Sequence, residues 1–337
     1  MAPSSSSSSP SSPIPDHRRI PGVSGGSITV LEPVDAAWAG RAQQLMDRSL
    51  PPEQRDERFD AWPDPSPDLP AARGAVATDG ADRVIGWLVG GPDRTRLRLD
   101  ALVDPAPGGS PAAGAAVLGA LVAAVEPLVH ASGSTEVEVW GRPAASWFGT
   151  VLGEVGYKPI RALHQMRCRL PVTVDPLPTR AFDPRRDLEA LRTVNNRAFA
   201  THPDQGAKTT DELAAIMAEP WFRPDGVRLY EQDGRVVGFC WTRIHPAVPG
   251  RNPALGEIYV IGIDPDHHGQ GLGVPMTAAG LAWLSDQGLE HGMLYVEADN
   301  VPAIRTYERL GFSVVRTDRA WSRPVTPGGS PRHREDR

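Results

Sequence analysis

The chain has 337 residues, of which 40% are hydrophobic and 23% are charged, and its formal net charge is −6. This length is enough for two domains of ordinary size, taking about 150 residues as one domain. The negative charge and the lack of a Lys/Arg run argue against general affinity for nucleic acid or anionic membranes. No apolar stretch approaches the roughly 18 residues that span a bilayer, so we predict no membrane segment.

Both ends of the sequence are rich in Ser, Pro and Gly. Residues 1–27 lack the apolar region of a secretory signal and cannot bury enough apolar surface to offset the entropy lost on ordering. We therefore predict disordered tails at 1–27 and 324–337. The two cysteines, Cys168 and Cys240, lie in strand-like runs, and we interpret them as reduced structural residues of a cytoplasmic protein. A redox or disulfide role is the alternative.

The sequence contains an internal repeat with an offset of roughly 150 to 160 residues, which indicates two copies of one domain. We predict the first domain at 28–170, a Pro-rich linker at 171–179 and the second domain at 180–323. The paired segments are DRVIGWLVGG (82–91) with GRVVGFCWTR (234–243), LDALVDP (99–105) with YVIGIDP (259–265), and WFGTVLGEVGYKPI (147–160) with TYERLGFSVV (306–315).

Hydrophobic periodicity and turn residues predict the same order of elements in both domains. For the first domain the order is a helix at 35–50, a hairpin at 74–91, a strand at 96–105, a helix at 114–131, a strand at 135–141, a helix at 144–156 and a strand at 157–170.

For the second domain it is a helix at 183–200 capped by Asp183, a helix at 209–219 opened by Thr210 or Asp211, a hairpin at 227–245, a strand at 255–264, a helix at 274–288, a strand at 293–299, a helix at 301–311 and a strand at 312–321. This alternation predicts a mixed α/β sheet in each domain.

A glycine-rich loop follows the strand that ends at Asp264. Gly269, Gly271 and Gly273 alternate with other residues just before a predicted helix. Glycine allows φ > 0 and a close approach of the backbone, and the N–H groups at a helix start favour an anion such as pyrophosphate. The spacing is not the G-x-G-x-x-G of dinucleotide-binding folds, and the G-K-[ST] of a Walker loop is absent.

The loop HGQGLG resembles the [Q/R]-x-x-G-x-[G/A] loop of the GCN5-related N-acetyltransferases (GNAT), with His268 in place of the usual Gln or Arg. A second segment, DNVPAIRTYERLGF, matches the family pattern N-x-x-A-x-x-x-Y-x-x-x-G-F at Asn300, Ala303, Tyr307, Gly311 and Phe312. The resemblance implies two tandem GNAT domains, each with a mixed, mostly antiparallel sheet flanked by helices.

The resemblance also implies acetyl-CoA as the co-substrate and a set of residues that bind it. The strand before the loop would carry pantetheine, the loop pyrophosphate, and the later helix would lie beside both. The implied residues are Ile261, Gly262, Ile263, His268, Gly269, Gln270, Gly271, Leu272, Gly273, Val274, Asn300, Val301, Pro302, Ala303, Ile304 and Arg305. Because this helix also supplies core residues, Val301 and Ile304 are expected to be mainly structural.

Acetyl transfer to an amine requires removal of a proton from the amine and its delivery to the departing thiolate. Glu257, at the start of the strand that leads to the loop, is the predicted base, and Tyr307 is the predicted acid. The alternatives are a solvated edge-strand glutamate and a tyrosine that only packs on its helix.

Over nearly the whole chain the resemblance narrows to the tandem members that acetylate the cysteinyl amine of Cys-GlcN-Ins, the last step in making mycothiol. This implies substrate contacts from Asp204, Arg243, Glu257 and Tyr295. The alternative roles are a loop-capping aspartate for Asp204, a solvated arginine for Arg243 and a packed tyrosine for Tyr295. The rival functions are acetylation of another small amine or a protein N-terminus, or acyl-CoA sensing without turnover.

The first domain loses the motif at its own loop, where Pro111 removes an amide and the glycine spacing changes. Residues 101–103 could still hold a pantetheine arm, and Trp147 and Phe148 are the aromatic residues nearest to the Tyr307 position. We predict a non-catalytic first domain and a monomeric protein. The His267–His268 pair has no partner at zinc spacing, so we predict no metal.

Overall fold

The computed structural model describes residues 18–34, 36–51, 72–93, 95–141, 145–200, 206–247 and 253–325. Its contacts divide the chain into two compact units, whose main division lies between Pro159 and Ile160. The last strand begins in the second unit and, from Trp321, belongs to the first.

The first unit contains a mixed sheet in the order β1-β2-β3-β4-β5-β6 and then the end of β13 (Ser313–Pro324). The neighbouring strands from β1 to β5 are antiparallel, and β5 pairs with β6 in parallel. Its core is formed by the inward residues of this sheet and by the long helix α2. The elements are β1 (Arg18–Arg19), β2 (Ser27–Leu31), α1 (Ala36–Ser49), β3 (Arg73–Thr78), β4 (Val84–Asp93), β5 (Arg96–Val103), α2 (Pro111–Ala131), β6 (Glu136–Gly141) and α3 (Phe148–Glu154).

Helix α2 corrects the expectation that no segment is long and apolar enough to cross a membrane. It has 21 residues and a mean hydropathy of 1.9 over an 18-residue window. Ten of its residues are buried, and seven of these, including Val117, Leu121 and Val125, belong to the hydrophobic core of the first unit. Burial of this kind accounts for the apolar composition, since a core helix and a membrane helix are alike in sequence.

The second unit contains the sheet order β13-β7-β12-β11-β10-β9-β8, in which β11 and β12 pair in parallel and the pairs β7–β12, β10–β11, β9–β10 and β8–β9 are antiparallel. Helices α6 and α7 pack on one face and α4 and α5 on the other, each over its own hydrophobic cluster. The elements are β7 (Lys158–Arg169), β8 (Arg180–Ala181), α4 (Leu188–Ala198), α5 (Thr210–Met217), β9 (Val227–Gln232), β10 (Arg235–His245), β11 (Leu255–Ile263), α6 (Gly273–Asp286), β12 (His291–Glu297), α7 (Val301–Glu308) and β13 (Ser313–Pro324).

A β-bulge interrupts β11 before the glycine loop. Trp241 pairs with Val260 and Thr242 with Ile258, so Tyr259 is the extra residue. Ile258 packs with the α6 cluster, whereas Tyr259 and Val260 both pack with the α4–α5 cluster. The bulge therefore shifts the alternation of side chains just upstream of the loop, as bulges near functional sites often do.

The two short helices α3 and α7 end in the same way. Tyr157 N donates to Leu152 O at 3.0 Å, and Phe312 N donates to Tyr307 O at 3.1 Å. The glycine before each donor has positive φ, 87° at Gly156 and 83° at Gly311. Leu152 is thus the structural counterpart of Tyr307, and neither Trp147 nor Phe148, the nearest aromatic residues, occupies that position.

The predicted fold class, a mixed and mostly antiparallel sheet flanked by helices, is confirmed in both units. Four predicted helix starts are wrong. Helix α2 begins at Pro111 rather than 114, and α3 begins at Phe148 rather than 144. Helix α4 begins after Asp187 rather than at Asp183, whose backbone N–H instead donates to the Asp187 carboxylate at 2.8 Å. Helix α5 is opened by Thr209 through a capping box with Glu212, because the hydroxyl and the carboxylate satisfy each other's backbone N–H groups.

The predicted domain boundaries at 170 and 180 stay predictions. Contacts assign most of β7 to the second unit because this strand pairs with β12 from Arg169 to Leu163. The sequence repeat instead counts the strand as the end of the first copy. Both predicted tails lie largely outside the described residues. Residues 18–27 are described and contradict a disordered tail there, because Arg18–Arg19 pairs with β2 and Ile20 is buried in the core of the first unit.

Candidate active site

A cleft of about 620 Å³ lies in the second unit, between the end of β11 and helix α7. Its walls are the last turn of α4, the glycine loop with the start of α6, and one side of α7. The lining residues are Ala198, Phe199, Ile261, Gly262, Ile263, His267, His268, Gly269, Gly271, Leu272, Gly273, Thr277, Asn300, Pro302, Ala303, Thr306 and Tyr307.

The structure brings most of the residues implied for acetyl-CoA to this one cleft. Five of them lie on the same elements without lining it: Gln270, Val274, Val301, Ile304 and Arg305. Ile304 packs against the core as expected, but Val301 is 47% exposed, so its predicted structural role is wrong. The sequence analysis gave no role to Phe199 and Thr306, which also line the cleft.

The glycine loop has the backbone conformation that its sequence predicts. Gly269 and Gly271 have φ values of 78° and 76°, and a Cβ added at either would meet no atom within 4 Å. Helix α6 begins at Gly273, so its unpaired N–H groups and the positive end of its dipole lie at the loop. Conformation, not crowding by the protein, requires glycine here, and the open space suits an anion.

Two side chains fix the entrance to this loop. Arg197, in the last turn of α4, donates to both carboxylate oxygens of Asp264 at 2.8 and 3.0 Å and to Asp266 at 2.8 Å. Hydrogen bonding from Arg197 lowers the pKa of Asp264. His268 Nε2 lies 3.1 Å from Ile263 O, and because a carbonyl only accepts, Nε2 carries the hydrogen. The sequence analysis missed Arg197.

The strand β11 offers its backbone to a ligand beyond the bulge. Its parallel pairing with β12 covers only Gly256–Gly292 to Ile258–Leu294, although both strands continue, and both are described throughout. Ile261 to Ile263 pair on the other side with β10. An extended ligand could therefore add to this free side as another strand would.

Helix α7 forms the opposite wall. Asn300 caps it, since its side-chain oxygen accepts from Ala303 N at 3.2 Å, so a ligand contact would fall to its side-chain nitrogen. Tyr307 is buried, lines the cleft and packs against Phe312 with ring centroids 5.9 Å apart. Burial, with the Cys240 thiol nearby, raises the pKa of Tyr307 well above its usual value. The phenol is therefore protonated at neutral pH, as a general acid must be.

Glu257 lies on β11 upstream of the bulge and does not line the cleft as defined above. Its side chain is buried, which contradicts the alternative of a solvated glutamate, and Oε2 lies 2.8 Å from His245 Nε2. Arg243 is its partner across the β10–β11 pair, and the Arg243 guanidinium stacks on Trp221 at 4.6 Å. Arg243 Nε is buried with no hydrogen-bond partner among the described residues.

Tyr295 lies on β12, just beyond its last pair with β11. Its hydroxyl accepts from Gln165 Nε2 at 2.9 Å and from Arg316 at 3.1 Å. These bonds make it part of a polar network rather than a tyrosine that only packs. Asp204, the remaining predicted substrate contact, lies outside the described residues.

Both cysteines are free and buried, and burial raises the pKa of each thiol to about 12. They are therefore present as unreactive thiols at neutral pH. No group of three His, Cys, Asp or Glu residues that could hold a metal is found within the described ranges.

Comparison with known proteins places this site in a family. The acetyltransferase (GNAT) family profile matches residues 188–312, which span the cleft. A mycothiol acetyltransferase from Thermomonospora curvata is 37% identical over 286 residues, covering 76% of this chain and 92% of the relative.

Solved structures agree on the fold. A GCN5-related N-acetyltransferase from Sphaerobacter thermophilus covers 93% of this chain and 99% of its own, with a TM-score of 0.69 and 19% identity. A tandem GNAT protein from the clavulanic acid biosynthesis pathway covers 91% and 100%, with a TM-score of 0.60 and 18% identity. The chain is thus an acyltransferase with tandem GNAT domains, and it belongs to the mycothiol acetyltransferase family.

Proposed function

We propose that this protein transfers the acetyl group of acetyl-CoA to the cysteinyl amine of Cys-GlcN-Ins, giving mycothiol and CoA. The observation that carries the proposal is the cleft itself, which is lined by both a glycine loop at a helix N-terminus and a buried, protonated tyrosine. The acceptor follows from the family, whose members are named for mycothiol.

The binding of acetyl-CoA would use three features of the cleft. The loop N–H groups at Gly269 to Gly273 suit the pyrophosphate, because they add a helix dipole to several hydrogen-bond donors. The free side of β11 at Ile261 to Ile263 suits the amide-containing pantetheine arm. The thioester would then lie toward Tyr307 on α7.

Two side chains would carry the proton transfers. An α-amino group has an ordinary pKa of about 8, so deprotonating it at pH 7 costs only about 1.4 kcal/mol. Glu257 would accept this proton, and the amine nitrogen would bond to the carbonyl carbon. The C–S bond would then break as the nitrogen loses its second proton to water. Tyr307 would donate its hydroxyl proton to the departing thiolate, and water would restore both groups.

The acceptor would lie on the side of the sheet that carries Glu257. The buried Arg243 Nε without a partner among the described residues and the hydrogen-bonded hydroxyl of Tyr295 are suited to the hydroxyls of a pseudodisaccharide. We also propose that Asp204 contacts this acceptor and that the protein acts as a cytoplasmic monomer, a location to which its reduced cysteines are suited.

Incubation of the purified protein with acetyl-CoA and Cys-GlcN-Ins tests the proposal. Mass spectrometry should detect N-acetylated product and CoA in equal amounts, and a panel of aminoglycosides, simple amines and peptides should react far more slowly. Preferential acetylation of another amine would move the protein to a different acceptor. Binding of acetyl-CoA without any turnover would favour an acyl-CoA sensor.

A further inference from the structure

A buried histidine lies against the predicted base. His245 and Glu257 occupy diagonal positions on neighbouring antiparallel strands, because Arg243 pairs with Glu257 and His245 with Leu255. Their side chains are only 9% and 10% exposed, and His245 Nε2 lies 2.8 Å from Glu257 Oε2. Nothing in the sequence motifs assigned a role to His245.

The chemistry of the two groups sets the direction of this bond. The proposed function needs Glu257 as an ionised carboxylate, which only accepts, so in that role His245 Nε2 would carry the hydrogen and donate to Oε2. A buried carboxylate without a donor would favour its protonated form, because burial disfavours the charge. The donated bond also fixes the rotamer of Glu257 and leaves Oε1 for another partner.

We propose that His245 is a positioning residue that holds Glu257 ionised and oriented toward the acceptor amine. The inference rests on the proposed function, in which Glu257 takes the proton of that amine. In the step, the N–H bond of the ammonium group breaks and an O–H bond forms on Oε1. His245 keeps its hydrogen on Nε2 throughout, so no other reactant is needed.

The charges around the pair allow a pH measurement to be interpreted. Arg243 faces Glu257 from β10, and Arg167 of β7 lies on the same face beyond Met293. Both arginines stay charged at every relevant pH. Burial, with Glu257 nearby, raises the pKa of Tyr259, which stays neutral, and Glu219 interacts with Tyr259 from the α5 side. Replacing His245 does not alter any of these four residues, the two arginines, Tyr259 and Glu219.

Two variants separate the hydrogen bond from the rest of the imidazole. His245→Leu removes the donor, and His245→Gln keeps an N–H donor of similar reach without a titrating ring. We expect His245→Leu to lower kcat at neutral pH by about 10- to 100-fold and to move the acidic limb of the pH profile upward. His245→Gln should restore most of the activity. His291→Leu, in the same unit, is the control and should leave the limb in place.

A double mutant distinguishes positioning from a merely structural role. If His245 acts through Glu257, His245→Leu should have no further effect in a Glu257→Gln background. The proposal is overturned if the two losses multiply, or if His245→Leu leaves the acidic limb unmoved. Thermal unfolding and acetyl-CoA affinity, measured for each variant, would reveal a folding defect, and His245→Gln then carries the test.

A measurement without turnover separates this inference from the proposed function. In protein with ¹⁵N-labelled histidine, the His245 ring signals should place the hydrogen on Nε2. Glu257→Gln should change these signals, because an amide can either donate or accept, whereas His291→Leu should not. Unchanged signals would overturn the pairing even in an active enzyme. The expected change in a protein that acetylates no amine would instead count only against the proposed function.

Discussion

The two units share a scaffold but differ at each position where acetyl transfer needs a particular group. Strand β5 pairs with β4 in one register from Gly86–Val103 to Asp93–Arg96, whereas β11 carries the bulge at Tyr259. The first unit therefore keeps a regular strand where the second shifts its side chains. The fold that both units share therefore does not require the bulge, which is a feature of the candidate site in the second unit.

The positions of the acid and the base illustrate the same point. Leu99 packs with α2 in the first unit as Ile258 packs with α6 in the second, so these two residues are counterparts. The residues that precede them, Arg98 and Glu257, are therefore counterparts as well. Arg98 stacks on Trp140 at 5.1 Å and cannot accept a proton. The counterpart of Tyr307 is Leu152, which is fully buried and has no proton to donate.

The loop before α2 has also changed. Pro111 is the first residue of α2, a position where a missing N–H does not destabilise the helix. It does remove a hydrogen-bond donor at the position that corresponds to the proposed anion site of the second unit. A Cβ at Gly114 would lie 2.8 Å from the Trp147 ring, so this ring packs against the helix start. The first unit thus retains its core while lacking the groups that the reaction needs, and we predict that catalysis is confined to the second unit.

Glu257→Gln tests the largest difference between the units. The amide keeps the size of the side chain but cannot accept a proton, so kcat should fall by roughly 10²- to 10⁴-fold with acetyl-CoA affinity preserved. The acidic limb of the kcat/KM profile should change as well. Glu297→Gln, which only removes an ion pair with Arg161, is the matched control. An unchanged pH profile would place the base elsewhere, with Asp204 as the next acid to test.

Tyr307→Phe should have the second largest effect. It removes only the hydroxyl, and because a thiolate can depart without help, we expect kcat to fall by no more than about 10²-fold. Since burial raises the pKa of Tyr307, its deprotonation should not reduce wild-type activity below about pH 10. Tyr230→Phe is the control. Full activity of Tyr307→Phe would leave solvent to protonate the thiolate.

Gly271→Val tests the loop. The side chain would enter the open space at the helix N-terminus and weaken acetyl-CoA binding at least about tenfold, or roughly 1.4 kcal/mol, by calorimetry. Gly288→Val is closely matched, because Gly288 has φ of 82° and equally open surroundings but lies at the far end of α6. Equal acetyl-CoA affinities for the two variants would show that the loop is not part of the cofactor site.

Replacing Gly108 and Gly109 together by Ala should have the smallest effect. Gly109 has φ of 86°, so some stability is lost, but turnover should stay within about twofold of wild type where the fold is retained. Circular dichroism and steady-state kinetics check both points. A loss of turnover as large as that of Gly271→Val would mean that the first unit uses acetyl-CoA in the reaction.

The sequence predicted the fold class, the repeat and the cleft because these depend on local patterns. Each of these patterns is defined within a short stretch of sequence, as with the alternation of apolar residues, the glycines at 269 and 271, and the spacing around Tyr307. It did not reveal His245 or Arg197, because each acquires its partner only when separate elements pack together. The bulge at Tyr259 was also missed, since it depends on the register with β10.

The identity of Leu152 as the counterpart of Tyr307 required the structure for a different reason. Sequence comparison favours a match of residue type, and the nearest aromatic residues were Trp147 and Phe148. The paired helix ends at Tyr157 and Phe312 fix the alignment instead through backbone hydrogen bonds, which do not depend on side-chain type.

The most direct test of the claim that only the second unit catalyses acetyl transfer is a single-turnover experiment with enzyme in excess over acetyl-CoA. The rate of Cys-GlcN-Ins acetylation would be measured for wild type and for Glu257→Gln combined with Tyr307→Phe. We predict that the double variant binds acetyl-CoA as wild type does but transfers its acetyl group at least about 10³-fold more slowly. A phase of product formation at the wild-type rate in the double variant would contradict the claim, because it would require a second catalytic centre.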